Sequence, residues 1–170
     1  MVDDPKAQVN VRDVMTTSVV TAMPDTSLGS IADLMTQRRL RAIPVIDGSG
    51  HVLGMITDRS VMSHFLPQMG ATAAEIGERE FADLGEVPVR DVMDRTVMCV
   101  NDDQSLADVA TLMLDKEMER LPVVAEGLLV GFLTRGDIIR RLLAQRDREG
   151  SAPHEASPRT SDDPSDDEDE

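Results

Sequence analysis

The sequence is poor in aromatic residues and in basic charge, and each shortage excludes a class of partner. Only 2% of the 170 residues are aromatic, with no Trp and no Tyr, so stacking platforms for single-stranded nucleic acid are not expected. Lys and Arg number 17 against 32 Asp and Glu, which gives a formal net charge of −15. Because so acidic a surface does not neutralise phosphates, we predict no nucleic-acid partner.

Cysteine, clustered histidine and long apolar runs are missing as well. Cys99 is the only cysteine in the sequence, so an intramolecular disulfide and a multi-cysteine metal site are excluded; we expect an inert, buried thiol. The three histidines are scattered and no nucleophile motif is present, so we predict neither a metal site, nor a cofactor, nor enzymatic activity. No apolar run approaches membrane-spanning length and the N-terminus does not resemble a signal peptide, which predicts a cytoplasmic protein without a membrane partner.

The acidic charge is concentrated at the C-terminus. Residues 151–170 carry eight acids and one base, and Ala is their only apolar residue type. Such a segment buries too little apolar surface to offset the entropy lost on ordering. We therefore predict a disordered acidic tail over residues 145–170, with a solubilising role as the first interpretation and an interaction role as the alternative.

The rest of the chain contains an internal repeat. Its opening Val-Arg-Asp-Val-Met stretch at residues 11–15 recurs intact at residues 89–93, 78 positions later. Further similarity at this spacing follows, and after one residue is lost in a turn, residues 54–57 correspond to residues 131–134. Repeats of this kind indicate a duplicated structural unit.

Each copy has the pattern of a β-α-β-β-α unit. The predicted elements of the first copy are a strand at 19–21, a helix from 28, strands at 43–46 and 52–56, and a helix at 59–66. Those of the second copy are a strand at 97–100, a helix from 106, strands at 121–124 and 128–133, and a helix at 136–143. A unit this small is marginal by itself, so we predict that the two copies pack sheet to sheet as a pseudo-twofold pair of the α/β (α+β) class.

These patterns divide the chain into five segments. They are a lead-in at 1–8, the first repeat at 9–66, a linker at 67–88 with a short helix at Thr72–Leu84, the second repeat at 89–144, and the tail.

The repeat resembles a known family. The β-α-β-β-α order, the Val-Arg-Asp-Val-Met opening, the hydrophobic-Pro-Val strand and the Gly-hydrophobic-hydrophobic-Thr-x-x-Asp ending are similar to the CBS domain, and two in tandem resemble a CBS pair, or Bateman module. The resemblance covers roughly residues 9–144. It implies a non-catalytic regulatory module that binds AMP, ADP, ATP or S-adenosylmethionine between its repeats and that often forms a homodimer. Because the sequence carries no effector domain, we expect its output to be an unknown protein effector or the dimer itself.

Thr134 and Asp137 are the central candidates for a site, and two interpretations stay open. They form either a capping pair at a helix start or, with the amides of that start, a phosphate and ribose site. The resemblance assigns Asp137 to the ribose and Thr134 to the phosphate, opposite residues 17–20 and 40–43 of the first copy. The implied ligand-binding residues are Thr134, Asp137, Arg135, Thr17, Ser18, Val20, Leu40 and Arg41.

The implied pocket would hold an adenine base and a phosphate. The base would lie between aliphatic side chains such as Val20, Leu40 and Phe132. Arg41 is the leading phosphate partner. Arg38, Arg39 and Arg135 are its alternatives. The competing interpretation of the arginine cluster is a solvated helix end.

The first copy departs from this pattern, because Ser60 stands where the second copy has Asp137. Serine does not replace a bidentate carboxylate acceptor. We therefore predict one competent site and one degenerate site at Thr57, Asp58 and Ser60, with Arg120 as the phosphate candidate of the latter.

A second class of function stays open. The chain would then be a ligand-free structural dimer or protein-interaction module. In either case exposed faces of the second helix of the first copy, carried by Val61, Met62 and Phe65, are expected to form the homodimer contact.

Overall fold

The computed structural model describes residues 8–65 and 86–150. The predicted linker helix at Thr72–Leu84 and the acidic segment 151–170 lie outside these ranges. Within them, no helix combines the length and the apolar character needed to cross a membrane.

The first half contains two helices and one antiparallel strand pair. Its elements are α1 (Leu28–Arg38), β1 (Ala42–Ile46), β2 (Val52–Thr57) and α2 (Asp58–Phe65). The Ser27 side chain caps α1 by accepting from the Ser30 amide, which satisfies one of the free N–H groups of the first turn. Arg39 ends the helix in the left-handed conformation, with φ at 54°, and so turns the chain into β1.

The second half repeats this order and adds a strand. Its elements are β3 (Val100–Asn101), α3 (Leu106–Asp115), β4 (Arg120–Ala125), β5 (Leu128–Thr134) and α4 (Arg135–Gly150). The sheet order is β3-β4-β5, with β3 parallel to β4 and β4 antiparallel to β5. Two tandem β-α-β-β-α copies are thus confirmed, with two differences in the elements.

The first strand of each copy is shorter than the sequence predicts. In the first half it is reduced to one parallel bridge between Ala22 and Val45, and in the second half it is β3 alone. Val19 donates its amide to the carbonyl of Thr17 at 3.0 Å, so this backbone forms a local turn and not a sheet ladder. The β-prone side chains of Val19 and Val20 instead line the cavity described below.

The last helix is longer than predicted. It was expected to end at Leu143 and instead continues to Gly150, into the segment assigned to the tail. Residues 144–149 are mostly Gln, Arg, Asp and Glu with one Ala. Ala, Gln, Arg and Glu are good helix formers that need no burial on a solvated surface.

The opening segment of each copy packs against the core of the other copy. Val11 is fully buried in the second-half cluster, and its amide donates to the carbonyl of Gln104 at 3.0 Å. Val89 is fully buried in the first-half cluster and donates to the carbonyl of Thr26 at 2.9 Å. Each half is therefore completed by a segment that precedes the other half in sequence.

Backbone bridges between the halves confirm the pseudo-twofold relation. They occur as corresponding pairs, namely Asn10–Ser105 with Pro88–Ser27, and Thr16–Phe132 with Asp94–Met55. His51 and Leu128 occupy corresponding positions of the two copies and also bridge each other. A contact between two equivalent positions lies on the symmetry axis, so the axis passes through this bridge.

Two glycines allow the exchanged segments to approach the strands closely. A Cβ atom at Gly54 would lie 2.7 Å from the backbone oxygen of Asp94. At the corresponding Gly131, it would overlap the side chain of Met15. Both positions need glycine, whatever their φ angle, because a side chain would prevent this close approach.

Candidate functional site

A cavity of about 550 Å³ lies between the two halves, which is within the range of small-molecule sites. The first half contributes residues 16, 18–20, 39–42 and 44 to its lining. The second half contributes residues 119, 120, 132 and 134–136. The site therefore depends on both copies.

One wall of the cavity is apolar. Val20 and Leu40 of the first half and Phe132 of the second half line it together. The shortened first strand explains how Val20 reaches this wall, because its backbone is not held in a ladder. These are the three side chains for which the sequence predicts a base-binding slot.

The start of α4 also lines the cavity, through Thr134 and Gly136. Asp137 is only 5% exposed and does not line it. Its Oδ2 atom accepts from the amide of Thr134 at 2.8 Å and from the Thr134 hydroxyl at 2.6 Å, while Oδ1 pairs with Arg140. The geometry is that of a capping pair placed directly behind the cavity wall.

The corresponding position of the first half has the same capping geometry without the charge. The Thr57 and Ser60 hydroxyls are 2.7 Å apart, and the amide of Ser60 donates to the Thr57 Oγ1 at 3.0 Å. The Thr57 side chain thus caps α2, and Ser60 supplies no carboxylate acceptor.

The arginines of the cavity differ in what they already bind. The side chain of Arg41 is 74% exposed, and within residues 8–65 and 86–150 its ion pair is a long one with Asp58, 3.8 Å between nitrogen and oxygen. Arg39 is exposed and also lines the cavity. These two arginines are consequently the cations with the least committed guanidinium groups.

Arg135 lines the cavity and also contacts the C-terminal end of α3. Its Nε atom donates to the carbonyl of Met118 at 2.8 Å and its Nη2 atom to the carbonyl of Met113 at 3.4 Å. Cations at a helix C-terminus satisfy carbonyls that have no partner within the helix. Arg135 therefore anchors the end of α3, which sequence reasoning did not anticipate.

Arg120 and Glu119 form an ion pair at the rim, with 2.6 Å between Nη2 and Oε2. The hydrogen bond from Arg120 and its positive charge lower the pKa of Glu119 from the ordinary value, with smaller contributions from Arg135 and Arg41. Glu119 therefore stays ionised and offsets part of the positive charge of the site.

Most of the predicted site residues lie at this cavity. Those that line it are Ser18, Val20, Leu40, Arg41, Thr134 and Arg135, whereas Thr17 is not among its lining residues. Arg120, which the sequence assigned to the degenerate site, lines this cavity beside Thr134, because the two residues are partners across β4 and β5. The true counterpart of Arg41 in the second copy is Glu119.

Sequence reasoning also missed that the charges around the cavity are inverted between the copies. Arg39 and Arg41 correspond to Glu117 and Glu119 at the 78-residue spacing of the repeat. Asp58 corresponds to Arg135 after the one-residue deletion. The alignment of the two copies carries this signal as changes of charge at equivalent positions.

Cys99 does not contribute to the cavity. It is partly buried, and burial raises the pKa of its thiol. A raised pKa keeps the thiol protonated and a poor nucleophile at neutral pH.

Interleaved tandem repeats with a cavity at their pseudo-twofold interface define a two-repeat module, and the family follows from comparison. The model of the CBS domain matches residues 11–67 and 89–144. The chain belongs to the CBS domain family and carries two copies of the domain.

Two relatives of known sequence are named as CBS domain-containing proteins. CBS domain-containing protein YhcV of Bacillus subtilis is 34% identical over 129 residues, which covers 76% of this chain and 82% of YhcV. The chloroplastic CBS domain-containing protein CBSX2 of Arabidopsis thaliana is 30% identical over 145 residues. This match covers 75% of the chain but only 60% of CBSX2.

Solved structures share the fold over most of the chain. The CBS-pair protein CBSX2 from Arabidopsis thaliana superimposes with a TM-score of 0.71 at 27% identity, covering 83% of this chain and 99% of that one. A structure of CBSX2 in complex with AMP gives 0.66 at 28% identity, covering 81% and 98%. A putative acetoin utilization protein (AcuB) from Vibrio cholerae gives 0.69 at 26% identity, covering 86% and 99%.

Proposed function

We propose that the chain is a non-catalytic regulatory module that binds one adenosine-containing ligand, AMP, ADP, ATP or S-adenosylmethionine, between its repeats. The observation that carries the proposal is the 550 Å³ cavity, which apolar side chains of both halves line and whose lining includes the start of α4. The AMP complex of CBSX2, a relative of the same fold, supports it.

The two walls match the two ends of such a ligand. The adenine lies against Val20, Leu40 and Phe132, since apolar surfaces suffice to hold a planar base. The ribose lies near Gly136, with Asp137 behind it. A carboxylate has about four acceptor sites, so the bonds that Asp137 makes to Thr134 and Arg140 leave capacity for a ribose hydroxyl.

A phosphate, where the ligand has one, lies toward Arg39 and Arg41. Their guanidinium groups are exposed, and the first turn of α4 adds amide donors and the positive end of a helix dipole. Glu119 opposes long phosphate chains, because its ionised carboxylate lines the same cavity.

Ligand binding regulates through the packing of the halves. A ligand that contacts both halves favours one arrangement by its difference in affinity for the two. The output is a contact with a protein effector or within a homodimer.

The apolar faces of α2 and α4 are the surface proposed for the homodimer. Met62 is 61% exposed, and Ile139 and Leu142 are 55% and 58% exposed. Val61, which the sequence placed on this surface, is 8% exposed and packs in the first-half core, because its position on α2 faces the sheet. The side chain of Phe65 lies outside the described part of the chain.

Titration calorimetry of the full chain with AMP, ATP and S-adenosylmethionine tests the proposal. We expect one ligand per chain, an affinity at least tenfold weaker in Asp137→Asn, and unchanged affinity in Ser60→Ala. Absence of binding by all three at millimolar concentration, with the fold intact by circular dichroism, contradicts it.

One observation favours the alternative of a ligand-free interaction module. Both oxygens of Asp137 already have partners in the structure, as a purely structural cap requires. Under this alternative, millimolar nucleotide leaves the melting temperature unmoved, since a ligand that does not bind the native state does not stabilise it.

A further inference from the structure

The buried carboxylate of Asp137 is paired with an exposed arginine of its own helix. Asp137 is 5% exposed, whereas the side chain of Arg140, which pairs with the Oδ1 atom, is 71% exposed. A Cβ atom at Gly136 would lie 3.6 Å from the Nη1 atom of Arg140. Because Gly136 lines the cavity between the halves, the guanidinium group of Arg140 lies at the border of that cavity.

The two oxygens of Asp137 are held in different ways. Oδ2 accepts from the amide and the hydroxyl of Thr134 at 2.8 Å and 2.6 Å, and release of these bonds would undo the cap of α4. In the part of the chain that the structure describes, the partner of Oδ1 is Arg140. Since most of the Arg140 side chain is already in solvent, Oδ1 is the oxygen that can be freed without unmaking the helix start.

We propose that Arg140 sets how strongly the site recognises ribose, because it holds Oδ1 of Asp137 until a ribose hydroxyl takes its place. The inference rests on the proposed function. A carboxylate that is 5% exposed offers little surface for a hydroxyl to approach, even where acceptor capacity remains. The guanidinium group also balances the charge of the carboxylate, so Arg140 both restricts the approach and weakens Asp137 as an acceptor for the ligand.

The first copy supplies a matched control. In the alignment that pairs Thr57 with Thr134, Arg140 corresponds to Ser63, which is exposed on α2. The first copy thus has neither the carboxylate nor the cation at these two positions. Loss of the Ser63 side chain changes α2 at the equivalent place without touching Asp137.

The experiment is a calorimetric titration of the full chain with AMP and with 2′,3′-dideoxy-AMP, which lacks both ribose hydroxyls. The readout is the ratio of the two affinities, in which an effect of Arg140 on the phosphate cancels. We expect Arg140→Ala to raise this ratio in favour of AMP by about threefold, the size typical of a partly exposed ion pair. Ser63→Ala should leave the ratio unchanged.

Two further variants separate competition from a change of the helix. Arg140→Met should raise the ratio like Arg140→Ala, since both residues are good helix formers. When Asp137→Asn is already present, the addition of Arg140→Ala should leave the ratio unchanged. Thermal unfolding without ligand checks that each variant is folded.

Three results overturn the proposal. A ratio that falls or stays constant in Arg140→Ala shows that Arg140 does not compete with ribose, and AMP binding with a constant ratio leaves the proposed function standing. A rise that persists beside Asp137→Asn assigns the effect to a general change of the cavity. Absence of AMP binding in both the unchanged chain and Arg140→Ala means that the freed carboxylate recognises no ribose, and titrations with ATP and S-adenosylmethionine then decide the proposed function separately.

Discussion

The two halves of this chain share a backbone and differ in the chemistry placed on it. At the start of α4, Asp137 caps with a buried carboxylate, and at the start of α2 the Thr57 hydroxyl caps by accepting from the amide of Ser60, which stands at the corresponding position. Both arrangements satisfy the free amides of a first helical turn. The first helical turn is therefore capped in both copies, while only the second copy has a carboxylate at the position of Asp137.

Buried core positions agree between the two copies, whereas exposed positions around the cavity differ. Val11 and Val89, and Leu28 and Leu106, keep their residue type across the duplication and are buried in both copies. Exposed rim positions change sign, as from Arg41 to Glu119. Close packing constrains the volume of a buried side chain, whereas a solvated charge changes with little effect on stability.

The largest difference that we expect between matched variants concerns the two glycines. Gly54→Ala places a Cβ 2.7 Å from the backbone oxygen of Asp94 and should lower the free energy of unfolding by about 3 kcal/mol. At Gly131→Ala the nearest atoms belong to the side chain of Met15, which can change rotamer, and the substitution should cost about 1 kcal/mol. Urea unfolding of both variants measures the difference, and equal losses would show that the Asp94 backbone yields easily.

We expect a smaller difference in the loss of stability between a variant of Arg135 and a variant of its counterpart Asp58. Arg135→Met removes charged donors from the carbonyls of Met118 and Met113, and we expect a loss of about 2 kcal/mol. Asp58→Ala removes a half-exposed side chain with a long ion pair to Arg41, which is worth about 0.5 kcal/mol. Thermal unfolding without ligand tests this order, and the reverse order would mean that the α3 end is held by other contacts.

Ligand affinity tests the effect of the charge inversion between the two copies. Glu119→Gln removes a carboxylate that lines the cavity and frees Arg120 from its ion pair. We expect affinity for AMP to rise several-fold, and affinity for ATP to rise more, because the added phosphates carry more charge. Glu117→Gln is the control outside the cavity lining, and a similar gain there would indicate a general effect of net charge.

The smallest effect concerns the pH response of Glu119. Arg120 lowers its pKa in the folded chain, so the interaction stabilises the protein above the unfolded pKa of the group and is lost as the pH falls through the lower folded value. NMR titration should place the Glu119 midpoint below that of an ordinary glutamate. In Arg120→Gln it should return toward that value, and an unchanged midpoint would assign the shift to other groups.

Sequence patterns predicted the helices and the central strands because these obey local rules. The cap at Ser27, the helical spacing after it and the buried Pro-Val strands fix elements over short stretches of chain. The same rules failed at Val19 and Val20. Both residues have high β-propensity, but their side chains line the cavity between the halves. Propensity does not distinguish a residue that pairs in a sheet from one that lines a cavity.

The duplication, the order of elements, the family and the asymmetry between Asp137 and Ser60 were determined by the sequence alone, since each is a relation between residue types at fixed spacing. Only the tertiary structure decided that Val11 completes the second core and Val89 the first. It also decided that Arg135 anchors a helix end. These are contacts between segments distant along the chain, and no local pattern encodes which distant segment will satisfy a given donor or fill a given core.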